Sequence, residues 1–524
     1  MKKSILFCFC YLFIFHISFG QRNVVLIIAD DLGSDYCGFY ENHLDTIPMP
    51  NIRSLLAKGV RFKNAWSNPL CSPTRAGILT GRYSFRTGVG NAVGGTTSAV
   101  LDTAEQTIPR MLNLMAPNTF AKANIGKWHL HLPTPKSNYF FPNQMGYDHF
   151  EGNFTGVLNS YTDWDKVTNG VATKMTNYAT TETADNAIAW IKKQNKPFFL
   201  WLAFNAPHTP FHLPPLNLHS FKNLSSADTA ITNNPKPYFK AAMESLDHEL
   251  GRIFDSLKVI NQFENTDFIF IGDNGDDAMV AQNTGGAKGS VYQEGVSVPF
   301  LISGPSVTNP NRVSDALVNT QDLFATILDL FGFMEWQQWI SPSKPVDSKS
   351  LMPILKEIQS DIRPWVFTEV FKIPTVSGDG KAMRNKEYKL IDFDNGTQKF
   401  FHISSDLTEN NDLLKGTLNS IELENYNYLC NEMSKLVGTG GFCSLTNSEN
   451  SLAVDNQVFP NPFTDFIHLS NPDQNNRYRL LNAMNQTIFN GKNIELQDFS
   501  KIASGVYFLE ISGKEHQVIK LVKE

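Results

Sequence analysis

The residues able to do chemistry run from Asp30 to Lys288 and sit in short polar clusters, most of them closing an apolar run. The most pointed cluster is Cys71-Ser72-Pro73-Thr74-Arg75. Pro73 is suited to open a helix with Ser72 as its N-cap, and Gly81 is suited to end it. This sets the Cys71 side chain just outside a helix N-terminus, where free N–H groups and the dipole favour negative charge. Arg75, one turn in, can reach back to the same spot. A thiol so placed is either chemically activated or a small buried packing group, and these five residues alone do not separate the two.

The clusters need elements to position them, and the apolar runs provide these. Val24–Ala29 stops at Asp30-Asp31, and Ala123–Ile125 stops at Gly126-Lys127-Trp128-His129. Phe198–Phe204 stops just before Ala206-Pro207-His208-Thr209-Pro210, and Phe268–Ile271 stops at Gly272-Asp273-Asn274-Gly275. Such runs alternating with helical patterns predict an α/β sheet, whose ligands bind at the carboxyl ends of its strands. Asp30, Asp31, Asp273 and Asn274 form an all-oxygen set from distant strands. Brought together they repel unless a hard cation lies between them, which points to Ca²⁺ or Mg²⁺ rather than zinc. Lys127, His129, His208 and Lys288 supply positive charge and proton-transfer groups. His131 and His212 are neighbouring candidates that rank below them.

At 524 residues the chain is too long for one core, so several domains are expected. A net charge of −6 offers no electrostatic basis for binding nucleic acid. Residues 1–20 read as a secretory signal: Lys2 and Lys3, an apolar stretch to Phe15, then Ser18-Phe19-Gly20 as the cleavage site. The apolar stretch is short for a membrane span and no other segment is long enough, so no transmembrane segment is expected. Cys8 and Cys10 fall in the signal, and Cys37 and Cys71 read as unpaired. Cys430 and Cys443 are close enough in sequence to form a disulfide in an oxidising compartment.

Taken together, the Asp30-Asp31 strand end, Cys71–Arg75, Gly126–His129, Pro207–Pro210, Asp273–Gly275 and Lys288-Gly289 resemble the formylglycine-dependent sulfatases of the alkaline phosphatase superfamily. The order and spacing match from Asn23 to Leu414. The resemblance implies an alkaline phosphatase-like mixed sheet flanked by helices, with a small α+β subdomain after it. It also implies that a sulfatase-maturation enzyme oxidises Cys71 to formylglycine. One hydroxyl of the hydrated aldehyde, bound to the metal, attacks the ester sulfur, and the second expels sulfate. This internal exit is what a serine lacks. In that pattern Asp30, Asp31, Asp273 and Asn274, together with residue 71, hold the metal, usually Ca²⁺. Arg75 steadies the hydrate and Lys127 and Lys288 neutralise sulfate oxygens. His129 takes the proton that triggers elimination, and His208 protonates the leaving oxygen. Two departures touch the pocket rather than the catalytic groups. Glu294-Gly295-Val296-Ser297-Val298-Pro299 replaces Glu-Gly-Gly-x-Arg-x-Pro, and His131 stands where a glycine often follows Trp-His-Leu.

The expected organisation is a catalytic domain over 21–350, its subdomain over 351–437, a Gly/Ser/Asn-rich linker over 438–451 and a β-rich domain over 452–524. Short strands at 365–370, 381–384, 388–391 and 400–403, with an Asp394-Asn395-Gly396 turn, make the subdomain a four-stranded antiparallel sheet in the sulfatase pattern. The tail, with Pro460-Asn461-Pro462 and Gly505-Val506-Tyr507, resembles the C-terminal β-sandwich sorting domain of the type IX secretion system. It implies passage through the periplasm to the cell surface or beyond, with the type IX machinery as a partner. The resulting expectation is an exported sulfatase acting on a sulfated polysaccharide or oligosaccharide, with algal polymers such as ulvan or carrageenan ahead of glycosaminoglycans. Two alternatives stand beside it. A phosphodiesterase or phosphonate monoester hydrolase of the same superfamily would favour phosphonate esters over nitrophenyl sulfate. A non-catalytic surface glycan-binding protein would keep an intact thiol at Cys71.

Overall fold

Val24, Leu26 and Ile28 pack into one hydrophobic cluster while Val25, Ile27 and Ala29 of the same strand pack into another. A strand buried on both faces has no reason to alternate polar with apolar residues, and this is why the run reads as continuous. In this computed structural model, which describes residues 22–40, 45–94, 99–283, 286–372, 376, 378–438, 458–469, 476–482, 486–512 and 516–524, that strand is central.

The large sheet contains β1 (Asn23–Ala29), β2 (Gly59–Trp66), β3 (Ala121–Gly126), β4 (His149–Gly152), β5 (Trp164–Thr168), β6 (Val171–Met175), β7 (Phe198–Ala203), β8 (Thr266–Gly272), β9 (Phe300–Ser303) and β10 (Arg312–Asn319). Their order is β10-β2-β9-β8-β1-β7-β3-β4-β5-β6. β8, β1, β7 and β3 are adjacent and mutually parallel, with Ala29 opposite Gly272 and Gly126 opposite Ala203. Their carboxyl ends therefore finish along one edge. Helices Ala179–Ile191 and Lys236–Val259 cover one face, and helices Cys71–Thr80, Ile108–Met115 and Asp322–Leu330 cover the other.

The expected small sheet is present as β11 (Val366–Val370), β12 (Gly380–Arg384), β13 (Lys389–Phe393) and β14 (Gln398–Phe401), antiparallel throughout. Helix Ser420–Val437 packs on it through Tyr426, Leu429 and Met433 and starts from a capping box of Asn419 and Glu422.

The chain divides into two units, Met1–Cys443 and Ser444–Glu524. The second contains β15 (Val458–Phe459) paired with β16 (His468–Leu469), and the antiparallel sheet β18-β17-β19-β20. The latter strands are β17 (Arg477–Asn482), β18 (Thr487–Gly491), β19 (Gly505–Ser512) and β20 (His516–Lys523), around a core that includes Phe463, Ile467, Leu480 and Leu509. The signal at 1–20, most of the linker and Cys443 lie outside the described residues. Cys430 is disulfide-bonded, and Cys37 and Cys71 are free. Among the described residues no helix is long and apolar enough to cross a membrane.

Candidate active site

The four parallel strand ends deliver their polar residues to one place because the backbone ties them there. Asp30 N–H donates to Ala206 O at 3.1 Å, Asp273 N–H to Ala29 O at 3.2 Å and Lys127 N–H to Ala203 O at 2.8 Å. Gly126 permits this closeness, since a Cβ there would lie 1.8 Å from Ala203 O. Helix Cys71–Thr80 enters over the same edge, and the 286–290 loop brings Lys288, anchored by Gly289 N–H on Pro69 O at 2.8 Å.

One correction to the sequence reading concerns the helix start. Leu70, not Ser72, is the N-cap, and Cys71 is the first helical residue. The Ser72 hydroxyl cannot cap because it is used elsewhere: it donates to His129 O at 2.8 Å and accepts from Val93 N–H at 2.9 Å. Gly81 ends the helix as expected, its N–H on Gly77 O.

The acidic residues form a tight set. Asp31 N–H donates to Asp273 Oδ1 at 3.0 Å, and Asn274 Nδ2 donates to Asp31 Oδ1 at 2.8 Å. One possible ligand atom from each of Asp30, Cys71 and Asp273 lies within 4.8 Å of the others, and the same holds for Asp30, Asp31 and His208. Positive groups surround them. Lys127 Nζ sits 2.5 Å from Asp30 Oδ2, and Lys288 Nζ sits 2.6 Å from Asp31 Oδ2. Arg75 Nη2 donates to Asp273 Oδ2 at 2.8 Å, and its Nη1 donates to Lys127 O at 3.0 Å. Arg75 thus serves the acidic set, rather than only reaching back toward the helix start.

Burial and these charges divide the carboxylates. Burial pushes the Asp30 carboxyl well above its ordinary range despite Lys127. Burial also opposes ionisation of Asp31, but its interactions with His208, Lys288 and Lys127 outweigh it and hold its carboxyl far below that range. For Asp273 the burial effect is overcome by Arg75 and Lys127, and its carboxyl is also lowered.

Both histidines are pinned. His129 Nε2 is 2.8 Å from Val93 O, an atom that only accepts, so the ring proton resides on Nε2. Its Nδ1 then presents a lone pair to Cys71 Sγ at 3.1 Å. Burial, reinforced by Lys127, pushes the His129 imidazole well below its usual value, so it is neutral. His208 Nδ1 is 2.8 Å from Thr209 O, which leaves Nε2 to accept from Lys288 Nζ at 3.0 Å. Burial lowers His208 to about 3. Asp31 and His129 both have left-handed backbone, with φ of 62° and 56°, a strain that concentrates at functional positions.

His131 and His212 stay out of the cluster: His131 stacks on Phe141 at 4.0 Å and His212 on Tyr161 at 3.8 Å. Val93 and Tyr161 went unnoticed in the sequence, Ser72 was singled out only as a cap, and two of the contacts that matter are to backbone carbonyls, which carry no residue-type signal.

Residues 22–333, more than half of the chain, match the family model described as Sulfatase. The chain belongs to the sulfatase family. Residues 287–435 of this sulfatase further match the C-terminal model of N-sulphoglucosamine sulphohydrolase, and residues 457–524 match a secretion system C-terminal sorting domain. It is 28% identical over 380 residues to N-acetylgalactosamine-6-sulfatase of Homo sapiens, covering 65% of this chain and 67% of the relative. To the Endo-4-O-sulfatase of Bacteroides thetaiotaomicron it is 25% identical over 395 residues, covering 65% and 74%. Among solved structures it is similar to Ps i-CgsB in complex with k-i-k-neocarrahexaose, with a TM-score of 0.67, 25% identity and coverage of 80% of this chain and 93% of the other.

The family implies a metal ion, and the residues of this sulfatase fit one. Asp30 Oδ1 and Asn274 Oδ1 are buried without any hydrogen-bond partner in a site of clustered carboxylates. Buried acceptors left unmet are costly, and a hard, oxygen-preferring cation satisfies them.

Proposed function

We propose that this sulfatase is exported and hydrolyses sulfate esters on an extracellular glycan. Residue 71, oxidised from cysteine to formylglycine, would be its nucleophile, and Asp30, Asp31, Asp273 and Asn274 would hold a Ca²⁺ ion. The observation that carries this reading is the Cys71 side chain, wedged between the neutral Nδ1 of His129 and the carboxylates of Asp30 and Asp273. Once formed and bound, the two groups supply a hydrated aldehyde with an internal exit and Lewis acidity at the sulfate.

The other residues divide the remaining work. His129 Nδ1 takes the proton from the residue-71 side chain, while Nε2–H stays on Val93 O and keeps the ring in place. His208 works through Nε2, because Nδ1 is committed to Thr209 O; Nε2 would carry the proton delivered to the departing oxygen, while Lys288 Nζ beside it keeps its charge for the sulfate. Lys127 and Lys288 bring fixed positive charge to a desolvated site, where it counts most toward stabilising sulfate oxygens. Arg75 holds Asp273 and the Lys127 carbonyl, so the metal-binding strand ends and the helix bearing residue 71 keep their register.

For substrate, the reading is a sulfated algal polysaccharide fragment such as carrageenan or ulvan. It is supported by the neocarrahexaose seen with Ps i-CgsB and by the sorting tail, which directs the enzyme to substrates met outside the cell. The test is sulfate release by protein co-expressed with a sulfatase-maturation enzyme, across carrageenan, ulvan and glycosaminoglycan oligosaccharides and nitrophenyl sulfate. Release from the algal set is expected. Release from glycosaminoglycans alone overturns the substrate, and release from no sulfate ester overturns the mechanism.

A further inference from the structure

His208 sits in a turn fastened by one phenol. Tyr161 OH lies 2.7 Å from Asn205 O and 2.8 Å from His208 O, bracketing the turn from both ends. The turn closes on itself through His208 N–H to Asn205 O at 2.9 Å, and Asp30 N–H grips it at Ala206 O. Tyr161 has little freedom of its own. Its ring is buried and lies against the His212 imidazole, with centroids 3.8 Å apart and planes 23° from parallel. His212 is in turn fixed at both nitrogens: Nδ1 is 3.0 Å from Pro210 O and Nε2 is 3.0 Å from Tyr178 OH. The segment from Asn205 to Pro210 therefore has three of its carbonyls held by one network, and the ring of His208 projects from it toward Lys288 and Asp31.

We propose that Tyr161, braced by His212, is the positioning residue of the leaving-group acid: its hydroxyl sets the turn that aims His208 Nε2. The inference rests on the reading of His208 as that acid. A small displacement of a proton donor is expensive in rate, because proton transfer needs heavy atoms within hydrogen-bond reach. The demand is greatest for a sugar alkoxide and slight for nitrophenolate, so the effect of Tyr161 has to follow the leaving group.

The experiment compares Tyr161→Phe and His208→Ala with the parent enzyme, all with measured formylglycine and calcium content. Each is assayed on nitrophenyl sulfate and on the best sugar sulfate from the glycan screen, and amide exchange is followed over residues 205–209. Tyr161→Phe removes one oxygen and keeps the ring on His212. It is expected to lower the ratio of sugar-sulfate to aryl-sulfate kcat by ~10-fold, with KM little moved, and to speed exchange at the His208 amide. If His208→Ala lowers that ratio and Tyr161→Phe does not, the positioning role is overturned while the acid assignment stands. If His208→Ala leaves the ratio unmoved, the acid assignment itself fails. Unchanged exchange at His208 in Tyr161→Phe refutes the clamp whatever the kinetics show.

Discussion

Cys71 Sγ lies 3.1 Å from His129 Nδ1, and the far nitrogen of the same ring is held 2.8 Å from Val93 O. One hydrogen bond on the outer side thereby determines which inner nitrogen faces Cys71. Ser72 completes the arrangement by holding the backbones of both His129 and Val93.

Gly156 is the floor beneath that imidazole. A Cβ there would stand 2.3 Å from both Cε1 and Nε2 of His129, closer than any relaxed contact. Gly156→Ala is expected to tilt the ring off residue 71 and lower kcat by ~100-fold, the scale of a misplacement of about 1 Å. Calcium content by elemental analysis should be unchanged, because the proposed ligands Asp30, Asp31, Asp273 and Asn274 lie on other strand ends.

Asp273 and Asn274 should separate by when their loss is felt. Asp273→Ala leaves Arg75, fully buried, without its principal carboxylate. A buried charge stripped of its partner costs about 3–5 kcal/mol, so this variant should melt lower even in chelator. Asn274→Ala removes a neutral amide and its hydrogen bonds to Asp31 and Gly275 O, so in chelator it should lose less than Asp273→Ala and fall further behind the parent when calcium is added. For the parent, calcium at about 100 times its Kd should add ~2.7 kcal/mol of stability. Thermal melts of the three proteins with and without calcium check this.

Glu369 gives a pH signature away from the catalytic cluster. Burial raises its carboxyl from 4.5 to about 8, although Phe85 N–H donates to it at 2.7 Å. Between those values the folded protein keeps a proton that the unfolded chain has lost, so this contribution to stability is present below pH 4.5 and drains away as pH rises to about 8. Glu369→Gln should flatten this part of the slope. Urea midpoints of parent and variant across the window measure it, and parallel slopes would contradict the assignment.

Cys430 is buried in the core of the small sheet and its helix, and it is disulfide-bonded. Non-reducing peptide mapping should find it joined to Cys443, as their spacing in the sequence implies. A loop of that size is worth about 3 kcal/mol, so reduction should lower the melting temperature of the catalytic unit.

How much of this was legible beforehand depends on the kind of signal. Strand ends such as Ala29-Asp30 and Gly272-Asp273 stand out because a doubly buried strand is apolar through its middle and the next polar residue marks its carboxyl end. The helix after Cys71 was legible through Gly81 but misread at its start, because Ser72 looks like a cap until Val93 and His129 are seen to occupy its hydroxyl.

By itself, the chain's residue order determined which groups are available for catalysis: the carboxylates and amide, the cysteine in its pentapeptide, the lysines and the two histidines. Only the tertiary structure decided how they meet. The adjacency of β8, β1, β7 and β3, all parallel, sets the four strand ends along one edge, and no local pattern encodes which strands become neighbours. The orientation of His129 and His208 was likewise settled by the carbonyls of Val93 and Thr209 and by the Tyr161 hydroxyl. A backbone carbonyl is the same in every residue, so its role exists only once the chain has folded around it.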